Sequence, residues 1–240
     1  MQKNIVFEDS HIIVVYKPAG IATQTARLGQ QDMVSELKNY LAAKAERAVP
    51  SAPYLGVIHR LDQPVSGILV FAKTKQAASC LGRQIADGVF RKYYYAVVHG
   101  RPERERGRLE DYLYKDGRTN LSRIVDQGFP DAKRAVLEYS LIETLMVLEP
   151  WQETSLVKIS LLTGRHHQIR LQMANAGMPL LGDHKYGSEQ DRQLSREIGL
   201  KNVALCAYRL QFRHPAAGGE VCFEQTPEEE IFRPFFNREI

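Results

Sequence analysis

Apolar positions in this chain fall in short runs, many of them alternating with polar residues, which is the pattern typical of β-strands. Runs of this kind cover residues 5–7, 12–16, 55–58, 67–72, 93–98, 135–142, 155–162, 204–212 and 220–223. Most are bounded by glycine, proline, aspartate or serine, the residues that favour turns. The pattern therefore predicts a chain in which short strands dominate.

Apolar residues at helical spacing occur in only four places. The first pattern begins after Asp32, a residue type common at helix N-caps, and runs to about residue 47. The second follows Thr74 and stops at Gly88, and the third runs from about residue 166 to 176, where Gly177 ends it. A weaker helical pattern covers residues 189–198.

The order of these elements indicates the fold class. Strands outnumber helices and the two do not alternate strictly, which favours an α+β fold over a doubly wound parallel sheet. We expect a mixed, largely antiparallel sheet with few flanking helices. The 240 residues are 44% hydrophobic and 25% charged, enough for a substantial core. No linker-like stretch separates two halves, so we expect one domain over residues 1–240.

Several classes of protein are disfavoured by what the sequence lacks. No apolar run approaches the roughly 20 residues that span a bilayer, and the first residues show no secretion signal. The cysteines Cys80, Cys206 and Cys222 are scattered, which favours reduced thiols in a cytoplasmic protein and disfavours zinc. There is no glycine-rich nucleotide loop, GxSxG or HExxH motif. We take a monomer as the default state.

Positive charge is concentrated in the middle of the chain. The formal net charge is only +4, but many basic residues lie between positions 91 and 134, among them Arg91, Lys92, Arg101, Arg104, Arg106, Arg108, Arg118, Arg123, Lys133 and Arg134. One interpretation is a solvated loop whose arginines form salt bridges with Glu103, Glu105 and Glu110. The other is a surface that contacts the phosphates of a nucleic acid. Composition alone does not choose between them.

Two polar clusters could carry chemistry. His59, Arg60 and Asp62 lie on a turn between two apolar strands, where active-site groups are often held, although a local Arg60–Asp62 ion pair would explain them equally well.

The second cluster is Thr163-Gly164-Arg165-His166-His167-Gln168-Ile169-Arg170, with Arg165 near the start of the third predicted helix. That position favours an anion, although a capped polar helix start is the simpler interpretation. His166 and His167 should face different sides of the helix, which makes a poor metal pair.

These clusters occur together and in this order along the chain. In this respect the chain resembles the RluA-type family of RNA pseudouridine synthases. The matching stretches are DSHIIVVYKPAGI (9–21), GVIHRLDQPVSGILVFAKT (56–74), RKYYYAVVHG (91–100), LLTGRHHQIRLQMANAGMPLLGDHKYG (161–187) and LCAYRLQFRHP (205–215). The resemblance implies that Asp62 is the catalytic aspartate, that Tyr94 packs against the target base and that Arg165 pairs with the aspartate. His59, Arg60, Gln168 and Arg170 fall in the same motifs and would support substrate binding.

The resemblance also implies a central RNA-binding cleft, an RNA substrate, and a reaction without cofactor or metal. Isomerising uridine to pseudouridine breaks the N-glycosidic bond, turns the uracil and rejoins it through C5. A carboxylate can assist by attacking C1′ or by removing a ribose proton, and the sequence does not choose between them. Arg165 would keep Asp62 ionised, and the target uridine would be unpaired or flipped.

The chain departs from the family pattern at Val65, His166 and Cys206, which bears on the choice of substrate more than on activity. It also begins directly with the catalytic strands, so we expect the basic stretch 91–134 to select the RNA. The target could lie in ribosomal or transfer RNA. Two alternatives are a non-catalytic RNA-binding protein, which would not need Asp62, and an enzyme of free nucleosides, which would not need the basic stretch.

Overall fold

The computed structural model describes residues 4–25, 29–44, 52–147 and 152–236. The chain divides into two compact units, each built from two segments. Unit 1 comprises Met1–Arg91 and Ala207–Thr226, and unit 2 comprises Lys92–Cys206 and Pro227–Ile240. The expectation of a single catalytic domain stays a prediction.

Most of the described chain forms strands joined by short turns. The strands are β1 (Ile5–Glu8), β2 (Ile12–Lys17), β3 (Gly56–Val57), β4 (Ser66–Ala72), β5 (Arg91–His99), β6 (Arg106–Asp116), β7 (Leu121–Val125), β8 (Lys133–Val147), β9 (Gln152–Leu161), β10 (Leu205–Arg213) and β11 (Glu220–Glu224). The helices are α1 (Met33–Lys44), α2 (Lys75–Ala86), α3 (Gln168–Asn175), α4 (Glu189–Glu197) and α5 (Arg233–Phe236), the last preceded by a 3-10 turn at Glu230–Phe232.

Unit 1 is built on the strand order β1-β2-β4-β10, with β3 beside β4 and β11 beside β10. Every residue of β2 and β4 is buried, which explains their nearly unbroken apolar sequences. Helix α2 covers one face with Leu81, and Phe90 stacks on Phe212 with ring centroids 5.2 Å apart. As predicted, Thr74 caps α2 by accepting a hydrogen bond from the Ala77 amide at 3.1 Å.

Unit 2 contains the strand order β5-β9-β8-β6-β7, and all of these neighbours are antiparallel. Its core lies where buried residues of β5, β8 and β9 meet, among them Val97, Leu137 and Ile159. Helix α3 packs against β6 and β7. Helix α4 begins with a capping box in which Ser188 and Asp191 satisfy each other's amides.

The α+β prediction with a largely antiparallel sheet is confirmed, but three elements differ from the sequence expectations. The stretch read as a basic loop contains β6 and β7, because charged residues such as Arg106 and Arg108 alternate with half-buried Gly107 and Leu109. Four charged residues within five positions at the start of β6 concealed this alternation in the sequence. The predicted end of α1 at residues 45–47 lies outside the described residues.

The third helix starts two residues later than predicted, at Gln168. The cause is His167, whose φ of 53° places it in the left-handed region, which a helix cannot include. None of the helices in the described ranges is long and apolar enough to cross a membrane.

Candidate active site

The turn that carries Asp62 lies in unit 1 and is fixed by hydrogen bonds from a distant segment. The Thr23 hydroxyl donates to the Leu61 carbonyl at 2.9 Å and accepts from the Leu61 amide at 3.2 Å. On the other side of Asp62, the Gly20 amide donates to the Gln63 carbonyl at 2.8 Å. Both neighbours of the half-buried Asp62 are therefore held by residues about 40 positions earlier in the chain.

A buried lysine completes this arrangement. Lys17, at the end of β2, is fully buried, and its ammonium donates to the carbonyls of Pro18, Ile21 and Gln63 at 2.9, 2.7 and 3.1 Å. Three carbonyls satisfy the three donors of an ammonium, which makes burial of the charge tolerable. The Lys17 charge therefore sits beneath the turn that presents Asp62.

The other two residues of the first cluster occupy different surroundings. His59 is half-buried, its Nε2 accepts a hydrogen bond from the Val70 amide at 3.4 Å, and its ring packs on Phe90 with centroids 5.3 Å apart. Its side chain is therefore part of the packing between the turn and β4. Arg60 is exposed.

Tyr94 lies on β5 in unit 2. It is only 5% exposed, whereas Tyr93 and Tyr95 on the opposite face are half-buried. Side chains alternate between the two faces of a strand, and Tyr94 lies on the more enclosed face of β5. Tyr95 packs edge-on against Phe236, with centroids 5.2 Å apart.

The loop that carries Arg165 is organised by the Gln168 side chain. The buried Gln168 amide oxygen accepts hydrogen bonds from the Arg165 amide at 3.0 Å and the Thr163 hydroxyl at 2.8 Å. Its amide nitrogen donates to the Val136 carbonyl at 3.1 Å and to Gln172 at 3.0 Å. The oxygen and the nitrogen of the Gln168 side-chain amide thus connect the Arg165 loop to β8.

The Arg165 side chain extends from this fixed loop and is exposed. Its Nε donates to the Arg134 carbonyl at 2.9 Å, next to the start of β8. This contact leaves the planar guanidinium with further N–H groups that could meet a carboxylate or phosphate.

Arg170 makes a buried ion pair within unit 2. Its Nε and one terminal nitrogen donate to the two oxygens of Asp183 at 2.8 and 2.7 Å, and both side chains are at most 5% exposed. Asp183 also accepts from the amides of Lys185 and Tyr186, at 2.9 and 3.2 Å. The structure therefore places Arg170 where it orders the loop after residue 182.

The histidines that follow Arg165 form a cluster that the sequence did not predict. The rings of His166 and His167 stack with centroids 3.7 Å apart, because both residues precede α3. The expectation that they face different sides of a helix was therefore wrong. His166 Nδ1 lies 2.9 Å from the Ser122 hydroxyl, and His167 Nδ1 lies 2.7 Å from the Tyr186 hydroxyl, which also accepts from the Ser122 amide at 2.9 Å.

Burial, the nearby positive charge of Arg170 and the neighbouring His166 lower the pKa of His167 to about 2, so this ring stays neutral near pH 7. Its neutral nitrogen can share a hydrogen bond with Tyr186 without placing a second cation beside Arg170. The described part of the chain contains no group of three His, Cys, Asp or Glu residues that could hold a metal ion.

Comparison with known proteins identifies the family. The family model for RNA pseudouridylate synthase matches residues 11–175, which include the described motifs except for the first two residues of the 9–21 stretch, the end of the 161–187 stretch and the final strands. The chain belongs to this family.

Curated relatives of the pseudouridylate synthase family match over most of the chain. Ribosomal large subunit pseudouridine synthase D of Zymomonas mobilis is 36% identical over 235 residues, covering 95% of this chain and 70% of the relative. Ribosomal large subunit pseudouridine synthase C of Vibrio cholerae is 32% identical over 214 residues, covering 89% and 62%. The chain spans 60% of a synthase D from Neisseria meningitidis that is 33% identical to it.

Solved structures of the family share the fold. Human RNA pseudouridylate synthase domain containing 1 superposes with a TM-score of 0.72 and 24% identity, covering 94% of this chain and 83% of the human chain. Human RNA pseudouridylate synthase domain containing 4 gives a TM-score of 0.73 at 21% identity, covering 95% and 90%. At these identities the likeness concerns the fold alone.

Sequence reasoning missed two residues that hold the Asp62 turn in this member of the family. Lys17 lies in the stretch 9–21 that carried the resemblance, and a lysine closing a wholly apolar strand could have indicated a buried charge. Thr23 gave no comparable signal, because its partner Leu61 is 38 residues away.

Proposed function

We propose that this chain isomerises specific uridines in RNA to pseudouridine, with Asp62 as the catalytic carboxylate. Relatives named ribosomal large subunit synthases make large-subunit ribosomal RNA the first substrate to test, with transfer RNA the second. We expect the protein to act in the cytoplasm as a monomer.

The observation that carries the proposal is the way in which the Asp62 turn is fixed. Thr23 holds the main chain before Asp62, and Gly20 and Lys17 hold it after. Catalytic groups need to be held within a fraction of an ångström, and long-range main-chain hydrogen bonds on both sides of a turn supply that rigidity. An ordinary connecting turn has no need of a fully buried lysine beneath it.

In the proposed reaction an ionised Asp62 acts on the ribose while the C1′–N1 bond breaks. It either attacks C1′ or removes a ribose proton, and both routes require the carboxylate form. Arg165 stabilises that charge, and Gln168 and Arg170 act as positioning residues that hold the Arg165 loop and the loop after residue 182.

In this proposal Tyr94 packs against the target base. The base must leave the stack of neighbouring bases to be reached. Tyr94 lies on the more enclosed face of β5, opposite the half-buried Tyr93 and Tyr95. His59 supports the turn by packing on Phe90, and the exposed Arg60 contacts the RNA.

RNA selection is assigned to the basic stretch 91–134. Part of its charge is paired: Arg101 with Glu105 at 3.2 Å, and Arg134 with Glu110 at 2.6 Å. Within the described chain no carboxylate pairs with Arg106 or Arg118, and both side chains are exposed. Such cations are available to bind phosphates, and the affinity of these contacts falls as the salt concentration rises.

The test compares the wild-type protein with Asp62→Asn and with Asp87→Asn, which makes the same chemical change on an exposed carboxylate after α2. Each protein is incubated with total RNA from cells that lack the gene, and new pseudouridines are mapped by carbodiimide labelling and primer extension. We expect the wild type and Asp87→Asn to make one or a few new sites and Asp62→Asn to make none.

Each outcome separates one part of the proposal. A site made equally by wild type and Asp62→Asn would keep the activity and reject the role of Asp62. No site with wild-type protein on folded RNA would reject the activity and favour a protein that only binds RNA. The RNA in which the site appears identifies the substrate class.

A further inference from the structure

Lys92 is a half-buried cation that the proposed mechanism does not use. It lies on β5 two residues before Tyr94, so the two side chains share one face of the strand. Its ammonium reaches past the end of β9 to the Arg165 loop: a Cβ added at Gly164 would lie 3.0 Å from Lys92 Nζ. Glycine at position 164 therefore leaves the space that the ammonium occupies.

The described residues offer this ammonium no acceptor. Neither a carboxylate nor a carbonyl within residues 4–25, 29–44, 52–147 and 152–236 receives a hydrogen bond from Lys92. Burial lowers the pKa of Lys92, since the charged form loses its hydration there. Lys17, by contrast, meets three carbonyls. A partly desolvated ammonium without a protein acceptor is unfavourable, and an incoming oxygen ligand would reduce that penalty.

Resting on the proposed function, we propose that the Lys92 ammonium binds a carbonyl oxygen of the target uracil and stabilises the negative charge that the detached base carries. When the C1′–N1 bond breaks, its electron pair stays with the base and spreads from N1 to O2 and O4. C5 then forms the new bond to C1′ with those electrons, C5 loses its proton and N1 gains one. Lys92 contributes charge and no atom.

The position of Lys92 favours the base over a phosphate as its ligand. It shares a face with Tyr94, the residue assigned to the base, and it is half-buried, whereas cations such as Arg106 are exposed. Proteins usually bind phosphates at solvent-exposed surfaces. A charge that appears only during the reaction is stabilised best by a fixed donor in a site with little water.

The test separates binding from chemistry in four proteins: wild type, Lys92→Met, Lys92→Arg and Lys158→Met. Lys158 lies on β9 opposite Tyr95, hence on the other face, and is a half-buried lysine whose loss changes the net charge equally. The dissociation constant for the identified RNA is measured at two salt concentrations, and the rate of pseudouridine formation is measured in a single turnover at saturating enzyme.

We expect Lys92→Met to lower the single-turnover rate about 100-fold, as loss of one oxyanion donor does in other enzymes, with the dissociation constant within twofold of wild type. Lys92→Arg should fall between the two, and Lys158→Met should match wild type. If thermal unfolding shows that Lys92→Met does not fold, Lys92→Gln takes its place with the same expectation.

Two results would overturn the proposal. A higher, salt-dependent dissociation constant with a normal rate at saturation would make Lys92 a phosphate contact. Unchanged binding and unchanged rate would leave it without a part in the reaction. An inactive wild type would instead reject the proposed function, and RNA binding by the same four proteins would still show whether Lys92 contacts RNA.

Discussion

The Lys17 ammonium donates a hydrogen bond of 3.1 Å to the main-chain carbonyl of Gln63, and so joins the buried end of β2 to the residue after Asp62. This bond spans 46 positions in the sequence. It makes the geometry of the turn that carries Asp62 depend on a fully buried side chain.

Replacing Lys17 by methionine should therefore damage both stability and activity. Three carbonyls would lose a charged donor, at a cost of about 3 kcal/mol, and the Asp62 turn would lose one of its three anchors. We expect a clear fall in the midpoint of thermal unfolding and a fall in single-turnover rate of at least about 10-fold. Lys38→Met, on the exposed face of α1, is the matched control, and equal behaviour of the two variants would refute this role.

Gln168→Leu should slow the reaction without weakening RNA binding. The substitution keeps the side-chain size but leaves the Arg165 amide and the Thr163 hydroxyl without their acceptor, so the loop that presents Arg165 loosens. We expect a rate lower by about 10- to 100-fold and a dissociation constant close to wild type. Gln193→Leu on the exposed face of α4 should change neither quantity. A selective rise in the dissociation constant of Gln168→Leu would mean that Gln168 contacts RNA directly.

Gly67→Ala should be far more destabilising than Gly88→Ala. Both glycines have positive φ, 121° and 71°, but a Cβ at Gly67 would overlap the backbone of Ala207, whereas nothing lies within 4 Å of one at Gly88. We expect about 1 kcal/mol for Gly88→Ala from backbone strain alone, and at least about 3 kcal/mol for Gly67→Ala. Denaturant unfolding of both variants measures the difference, and similar values would contradict the close approach of β4 and β10.

The acid stability of the protein should depend on Glu8. Partial burial would by itself raise the pKa of this carboxyl, but hydrogen bonds from Lys73, Lys44 and Tyr40 lower it to about 2 from an ordinary value of 4.5. The unfolded chain therefore takes up a proton first as the pH falls, and stability present above pH 4.5 is lost between pH 4.5 and about 2. Up to about 3 kcal/mol is involved.

The measurement is the free energy of unfolding at pH 7 and pH 3 for wild type and Glu8→Gln. We expect the variant to be less stable at pH 7 but to lose less stability on acidification. Equal losses in the two proteins would show that Glu8 does not contribute to acid sensitivity.

His167 should also make the folded protein less stable as the pH falls, over a wider pH range than Glu8. Its pKa is lowered from 6.5 to about 2, so the unfolded chain binds a proton below pH 6.5 that the folded chain does not. Stability is therefore lost as the pH falls from 6.5 towards 2. His167→Gln, which keeps a hydrogen-bonding group near Tyr186, should flatten the decline between pH 7 and 5. An unchanged slope over that interval would rule out His167 as its source.

Much of the fold could be predicted from the sequence, because local signals determine it. The Thr74 cap and the apolar runs of β2 and β4 act over a few residues, and the structure has the elements they predict. The prediction failed where charged residues concealed alternation in β6, and where His167 adopted a left-handed conformation that no local rule requires. The residues of the candidate site came from motifs, and their roles stay predictions.

The sequence by itself determined the family, the α+β class and the candidate residues, since each depends on residue types at fixed short spacings. Only the tertiary structure decided which side chains hold those residues in place: Lys17 and Thr23 for the Asp62 turn, Gln168 for the Arg165 loop. These contacts join positions that are distant in sequence, and a hydrogen bond between such positions exists only after the strands have paired and excluded water.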